Sequence, residues 1–234
     1  YIKMKKYFFE GIVIFSSVLF SLYIGNLNDI SSEKAKKNGY ILDLSKTIKD
    51  DILQIESLLE TLYASEEMIS SIQTDIDERH SILKDEESIK TLIGIEVGFS
   101  FFPKDGIFNQ MIATGSFELI SNNDLKNNLL EIYNHQKARN YATSLEIDNF
   151  NIGFRQKPYT KFRIRFDYNL LKGEFYGSRQ LTKFKFNKDY YFSNEFYGML
   201  SQAKLYSNMY KRQLSDILKT HRQAQLLINQ ELEE

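Results

Sequence analysis

Ile41-Leu42-Asp43-Leu44-Ser45-Lys46-Thr47-Ile48-Lys49-Asp50-Asp51-Ile52-Leu53-Gln54-Ile55 opens a run in which one apolar residue returns every seven positions: Ile41, Ile48, Ile55, Leu62, Ile69, Ile76 and Leu83. A seven-residue return is two slightly underwound helical turns, so the stretch predicts a long helix packed along one left-handed seam. Leu44, Ile52 and Leu59 supply a companion line three or four residues on, which lapses where Glu66 and Gln73 stand. The second half of the seam therefore expects a narrower or irregular cover. Ser65-Glu66-Glu67 has the make-up of an N-cap, which allows a break near Ala64. The seam fits its own chain or a second protomer equally.

Upstream of the seam, Gly11 to Asn28 is eighteen residues without a charge. As a helix it spans ~27 Å, close to the hydrocarbon core of a bilayer. Lys3, Lys5 and Lys6 precede it, as a start-transfer segment requires on its cytoplasmic side. The reading is a transmembrane anchor that meets lipid through residues 8–27. A cleaved signal peptide competes, but Leu22-Tyr23-Ile24-Gly25-Asn26-Leu27 offers Tyr and Leu where a cleavage site needs small residues. A buried core helix is the third reading. Glu10 stands one turn after Lys6, either as an interfacial ion pair or as a functional acid at the membrane edge. Lys34, Lys36 and Lys37 follow the apolar run, so the basic count is tied. The closeness of the N-terminal lysines favours a cytoplasmic N-terminus, an extracytoplasmic bulk and an inner-membrane location.

Composition narrows the partners. Thirty basic and 31 acidic residues give a net charge of −1, without the basic excess of a nucleic-acid binder. The chain has no cysteine, hence no disulfide and no thiolate site. Two prolines fit long helices, and the aromatic residues are fifteen Tyr and eighteen Phe with no Trp, the Tyr concentrated in the second half.

Beyond the seam, Asp85-Glu86-Glu87 is the negative first turn of a short helix to Glu96, with Ile89, Leu92, Ile93 and Val97 apolar. Pro103-Lys104-Asp105-Gly106 has type I turn chemistry. Ile107 to Thr114 then reads as a helix burying Ile107, Phe108, Met111 and Ile112, closed by a left-handed Gly115. Ser116-Phe117-Glu118-Leu119-Ile120-Ser121-Asn122-Asn123-Asp124-Leu125 is a helix stop, a connector and a helix start, with Ser121 and Asp124 at capping-box spacing. The segment reads as a helix corner or as a partner surface.

Gly115, Leu119, Ile120, Leu125, Leu129 and Tyr133, together with Glu10, Asn26 and Asn28 at the anchor, resemble a family of uncharacterised bacterial single-pass membrane proteins of unknown function. The usual Trp at the anchor's exit is absent here, Leu27 standing near its place. The resemblance implies an N-terminal anchor and a long helix, and it implies no activity.

The helix begun at Asn122 is expected to reach about Asn151, with Leu125, Leu129, Ile132, Tyr133, Tyr141, Leu145 and Ile152 towards the core, and to end at Gly153 and Pro158. Lys161-Phe162-Arg163-Ile164-Arg165-Phe166-Asp167-Tyr168 then alternates strictly, and Lys183-Phe184-Lys185-Phe186 repeats the pattern, so a hairpin is expected. Its inward face is Phe162, Ile164, Phe166, Phe184 and Phe186. Its outward face, Lys161, Arg163, Arg165, Lys183 and Lys185, is the candidate partner or anion site. An unpaired extended arm is the alternative, and acidic helix faces or water are the bland way to balance these charges. Ser193-Asn194-Glu195 caps a last helix that runs from Phe196 through Tyr210, Leu214 and His221 to Ile228 at three-four spacing.

The fold class is therefore mainly α: an N-terminal transmembrane helix, then an elongated antiparallel helical bundle with a small β-hairpin insertion. Its parts are the anchor at 1–28, the first part of the bundle at 29–158, the hairpin or arm at 159–192 and the closing helix at 193–234. No catalytic, cofactor or metal set is expected. His80, His135 and His221 lack helical ligand partners, the acidic clusters lack calcium-loop spacing, and no phosphate loop or nucleophile elbow occurs. The expected function is a membrane-anchored interaction or scaffold protein, as a homo-oligomer or with a membrane-protein partner and without nucleic acid. The alternative is an extracytoplasmic ligand-binding or sensory bundle.

Overall fold

The computed structural model describes residues 2–169 and 178–233. Residues 170–177, within the connection between the two alternating runs, and the side chains of Lys3, Lys5, Lys6 and Glu10 lie outside the described residues. The protein is mainly α, with a two-stranded antiparallel sheet.

The first helix, α1, is unbroken from Ile2–Asp77, so the polar stretch 26–37 is a helical neck. No break occurs at Ala64, because Ser65 serves a tertiary contact: its buried Oγ accepts the Glu96 N–H at 2.9 Å. The heptad line holds from Ile41 to Leu62 and Ile69, all buried. Its last member does not belong to it, since Leu83 lies beyond the helix. There Arg79 and His80 take φ of 59° and 58°, and the Asp75 carboxylate accepts the N–H groups of Ile82 and Leu83. Two left-handed residues and one carboxylate reverse the chain where periodicity would have continued it. Of the expected companion line, Leu44 and Leu59 are buried and Ile52 is half-buried, and a second line runs beside it. It steps Leu44, Asp51, Leu58, Ser65, Ile72 at regular sevens, with Asp51, Ser65 and Ile72 buried. Two polar members concealed it, while Ile52 stands half-buried beside it.

The protein comprises two compact units. The first comprises residues 1–48, 104–129 and 224–234. In it, α3 (Gly106–Ala113) buries Phe108 and Met111 but leaves Ile112 49% exposed. Gly115 takes φ +72°, the left-handed conformation open to glycine. The next helix, α4 (Asn123–Leu130), is capped by Asn122 and not by Ser121: Asn122 Oδ1 accepts the N–H groups of Asp124 and Leu125 at 2.9 and 3.1 Å. Gly115 to Leu125 is thus a helix corner, and Ile41, Leu44 and Ile48 of α1 are buried in the same unit as Ile120, Leu125 and Leu129.

The second unit comprises residues 49–103 and 130–223. It contains α2 (Asp85–Gly94), whose Ile89, Leu92 and Ile93 are buried, and α5 (Lys137–Lys161). A π-helical segment, Glu131–Gln136, leads into α5. The buried stripe of α5 is Asn140, Ser144, Ile147, Asn151, Phe154 and Pro158, which continues the three-four spacing of Leu125, Leu129 and Ile132. Tyr141, Leu145 and Ile152, expected inside, are 64%, 52% and 57% exposed. Pro158 does not end the helix, which continues to Lys161 with the proline ring buried on the core face. The strands β1 (Arg165–Asn169) and β2 (Ser178–Lys183) pair antiparallel, with an irregularity between Arg165 and Phe166. A short α6 (Lys188–Tyr191) precedes α7 (Asn194–Glu233), which Ser193 caps through its Oγ to the Phe196 N–H at 3.1 Å. Within this unit α7 runs antiparallel to α1, as Gln73–Ser201, Lys204–Ser70 and Arg222–Glu56 contacts show.

Candidate anion-binding groove

Where α5 gives way to the hairpin, Phe162 is fully buried against Tyr190, Tyr191, Phe196 and Phe186. That anchor fixes the basic residues around it. Lys161 is the last residue of α5 and Arg163 follows in a turn with φ +49°. Lys185 is drawn alongside by its N–H, which donates to the Phe162 carbonyl at 2.8 Å. Asn187 caps α6 through Oδ1 to the Tyr190 N–H, placing Lys188 on the same side.

Together Thr160, Lys161, Arg163, Lys185, Phe186, Asn187, Lys188 and Asp189 line an open groove of about 660 Å³. The Lys161 ammonium sits 5.6 Å from the Tyr190 ring centre and the Lys188 ammonium 5.9 Å from that of Phe192. Among the described residues, Lys161, Arg163, Lys185 and Lys188 have no carboxylate at ion-pair distance. Of the two bland ways to balance these charges, acidic helix faces or water, pairing with an acidic helix face does not occur for the groove residues among the described residues.

The five residues singled out by alternation therefore divide. Lys161, Arg163 and Lys185 share the groove, but not as a row on one strand, because α5 extends through Lys161. Arg165 and Lys183 stand opposite each other in the ladder, exposed and away from the groove lining. Lys188 was missed, since it belongs to no alternating run.

A titratable knot adjoins the groove. His80 stacks on Phe186 with ring centres 4.9 Å apart and 9° between planes. Its Nδ1 lies 2.6 Å from Asp75 and its Nε2 2.8 Å from Asp85. Tyr191 donates to Asp75 at 2.7 Å. Burial opposes charge on His80, yet the hydrogen bonds it donates to Asp75 and Asp85 prevail and raise its pKa above the ordinary value. Burial likewise opposes ionisation of Asp75, and its bonds from His80, Leu83, Tyr191 and Ile82 outweigh it, lowering the pKa. Sequence reading missed this set because it sought helical spacing, whereas the partners lie five residues to either side of a loop histidine.

His221 is buried on the α7 stripe, edge-on to Phe101 at 5.9 Å, with Nδ1 2.9 Å from the Ile217 carbonyl. Burial lowers its pKa. No group of three metal-ligating side chains occurs among the described residues. A second hollow, of about 470 Å³, is lined by Phe101, Phe102, Pro103, Tyr133, Asn140 and Tyr141 among others, beside the π-helical segment. Comparison with family models, curated proteins and solved structures yields no match.

Proposed function

We propose that the protein is a membrane-anchored helical interaction or scaffold protein, inserted in the inner membrane with its N-terminus cytoplasmic and its bulk outside. The observation that carries this reading is the start of α1. From Ile12 to Lys36 every residue is exposed, with Phe15 and Phe20 each at 66% and Leu22 at 65%. This is the helix among the described residues that is long and apolar enough to cross a membrane. A buried core helix would show the opposite exposure, and an apolar surface of this extent is costly in water. The exposed stripe Tyr141, Leu145 and Ile152 supports a protein partner or second copy, since three large apolar side chains on one helical face favour being covered.

Carbonate extraction at alkaline pH should leave the protein in the membrane pellet, and alkaline phosphatase fused after Glu234 should be active. A shortened soluble product would overturn the anchor, and an inactive phosphatase would reverse the orientation.

The hollow beside the π-helical segment favours a second reading, a ligand-binding bundle. Its volume of about 470 Å³ lies within the ordinary range of small-molecule sites, and π-helical turns occur disproportionately at such sites.

A further inference from the structure

We infer that the groove between the end of α5 and α6 is a binding site for a multiply phosphorylated ligand. Four cations and one carboxylate, Asp189, give the groove a net charge of +3, gathered by an aromatic core that holds the backbone beneath them. Among the described residues none of the four cations has an acidic partner within ion-pair distance. Like charges brought this close repel, so the arrangement favours a dense anion that supplies several negative charges inside about 660 Å³. Single carboxylates on a protein surface carry one charge each and are spaced by their side chains. A molecule with two or more phosphates carries three or more charges in that volume.

The residue types agree. Arg163 offers a planar fork that matches two phosphate oxygens, while the three lysines act as movable point charges around it. Arg163 holds that position with φ +49°, a left-handed conformation unusual for a side-chain-bearing residue, and such outliers concentrate at functional sites. Ionised Asp189 is an acceptor only, so it suits a ligand that presents a hydroxyl beside its phosphates. A phosphorylated polyol has both groups, whether as a free molecule or as a lipid headgroup. The inference stands independently of the anchor, because it draws on no residue before Thr160.

The full chain in phosphatidylcholine nanodiscs should be titrated calorimetrically with inositol trisphosphate, inorganic tripolyphosphate and inorganic sulfate. The two phosphorylated probes should bind saturably and weaken with added salt. Combined Lys161→Gln, Arg163→Gln and Lys185→Gln should weaken them at least ~10-fold with no change in melting temperature, because no internal ion pair is lost. Arg163→Lys should weaken binding while keeping the charge. Lys46→Gln with Lys49→Gln should leave it unchanged. Should the triple variant fail to fold, Lys185→Gln and Lys188→Gln singly provide the same comparison. Co-flotation of the nanodiscs with phosphatidic-acid vesicles, but not with phosphatidylcholine vesicles, would assign the ligand to a lipid headgroup. Binding of the soluble probes alone would assign a free phosphorylated molecule. Absence of saturable binding, equal affinity for sulfate, or undiminished binding by the groove variants would overturn the inference.

Discussion

Lys37 and Glu231, 194 residues apart in the chain, meet at 2.5 Å with their side chains 5% and 0% exposed. The same carboxylate accepts the N–H groups of Ser121 and Asn122, so one side chain near the end of α7 ties down both α1 and the corner before α4. Burial opposes its ionisation, but the bonds from Lys37, Ser121 and Asn122 lower its pKa. Glu231→Gln should cost about 2–4 kcal/mol, because it leaves the Lys37 ammonium buried without a counter-charge. Since the folded pKa is depressed, this stabilisation is present above the ordinary glutamate range and disappears as pH falls through the folded value. Thermal melts of the native protein and the variant should converge in acid. A constant gap across that range would contradict the pairing.

The knot around His80 predicts a different pH profile. Its folded pKa is raised, so the protonated imidazole stabilises fully below the ordinary histidine value of about 6.5 and loses that contribution as pH rises through the folded value. The melting temperature of the native protein should exceed that of His80→Gln most at mildly acidic pH, and the gap should narrow in alkali. Asp75 adds the opposite limb: its depressed pKa gives stability above about 3.8 that is lost as pH falls through the folded value. A gap that widens towards alkaline pH would show that His80 is not charged between the aspartates.

The seam can be tested at adjacent residues. Ile55 is fully buried, whereas Glu56 is half-exposed and pairs with the exposed Arg222 at 2.6 Å. Ile55→Asp should cost at least ~3 kcal/mol, and Glu56→Gln below ~1 kcal/mol, because an exposed ion pair is weak. Equal effects in a denaturant series would dismiss the heptad assignment.

The two faces of α5 make a third comparison. Leu145→Glu and Ile152→Glu fall on the exposed face of α5, so each should change the unfolding free energy by less than about 1 kcal/mol. Ile147→Asp, on the buried face, should cost at least ~3 kcal/mol. If Leu145 and Ile152 form an interface between copies, the glutamate variants should also lower the mass measured by light scattering in detergent. Unchanged mass would remove that stripe from the interaction surface.

Much of the architecture was legible in residue order alone. The seven-residue return from Ile41, the uncharged run from Gly11 and the three-four stripe from Phe196 are local patterns. Each needs only the helical repeat to be read, and each element stands in the structure. Alternation singled out Phe162, Ile164, Phe184 and Phe186, which pack on the core, although Phe162 sits in the turn after α5 and Phe184 and Phe186 follow β2, while Tyr168 is exposed. What local order could not carry was decided by tertiary contacts. Ser65 looked like a cap and became a partner of Glu96, Leu83 looked like a seam residue and was turned away by Asp75. Tyr141, Leu145 and Ile152 looked internal, but the face of α5 that packs lies one residue before each of them, at Asn140, Ser144 and Asn151. The basic site shows the same division: side-chain chemistry singled out Lys161, Arg163 and Lys185. Only packing of Phe162 against α6 brought Lys188 to join them, since periodicity describes a residue's neighbours along one element, and a site gathers residues from several.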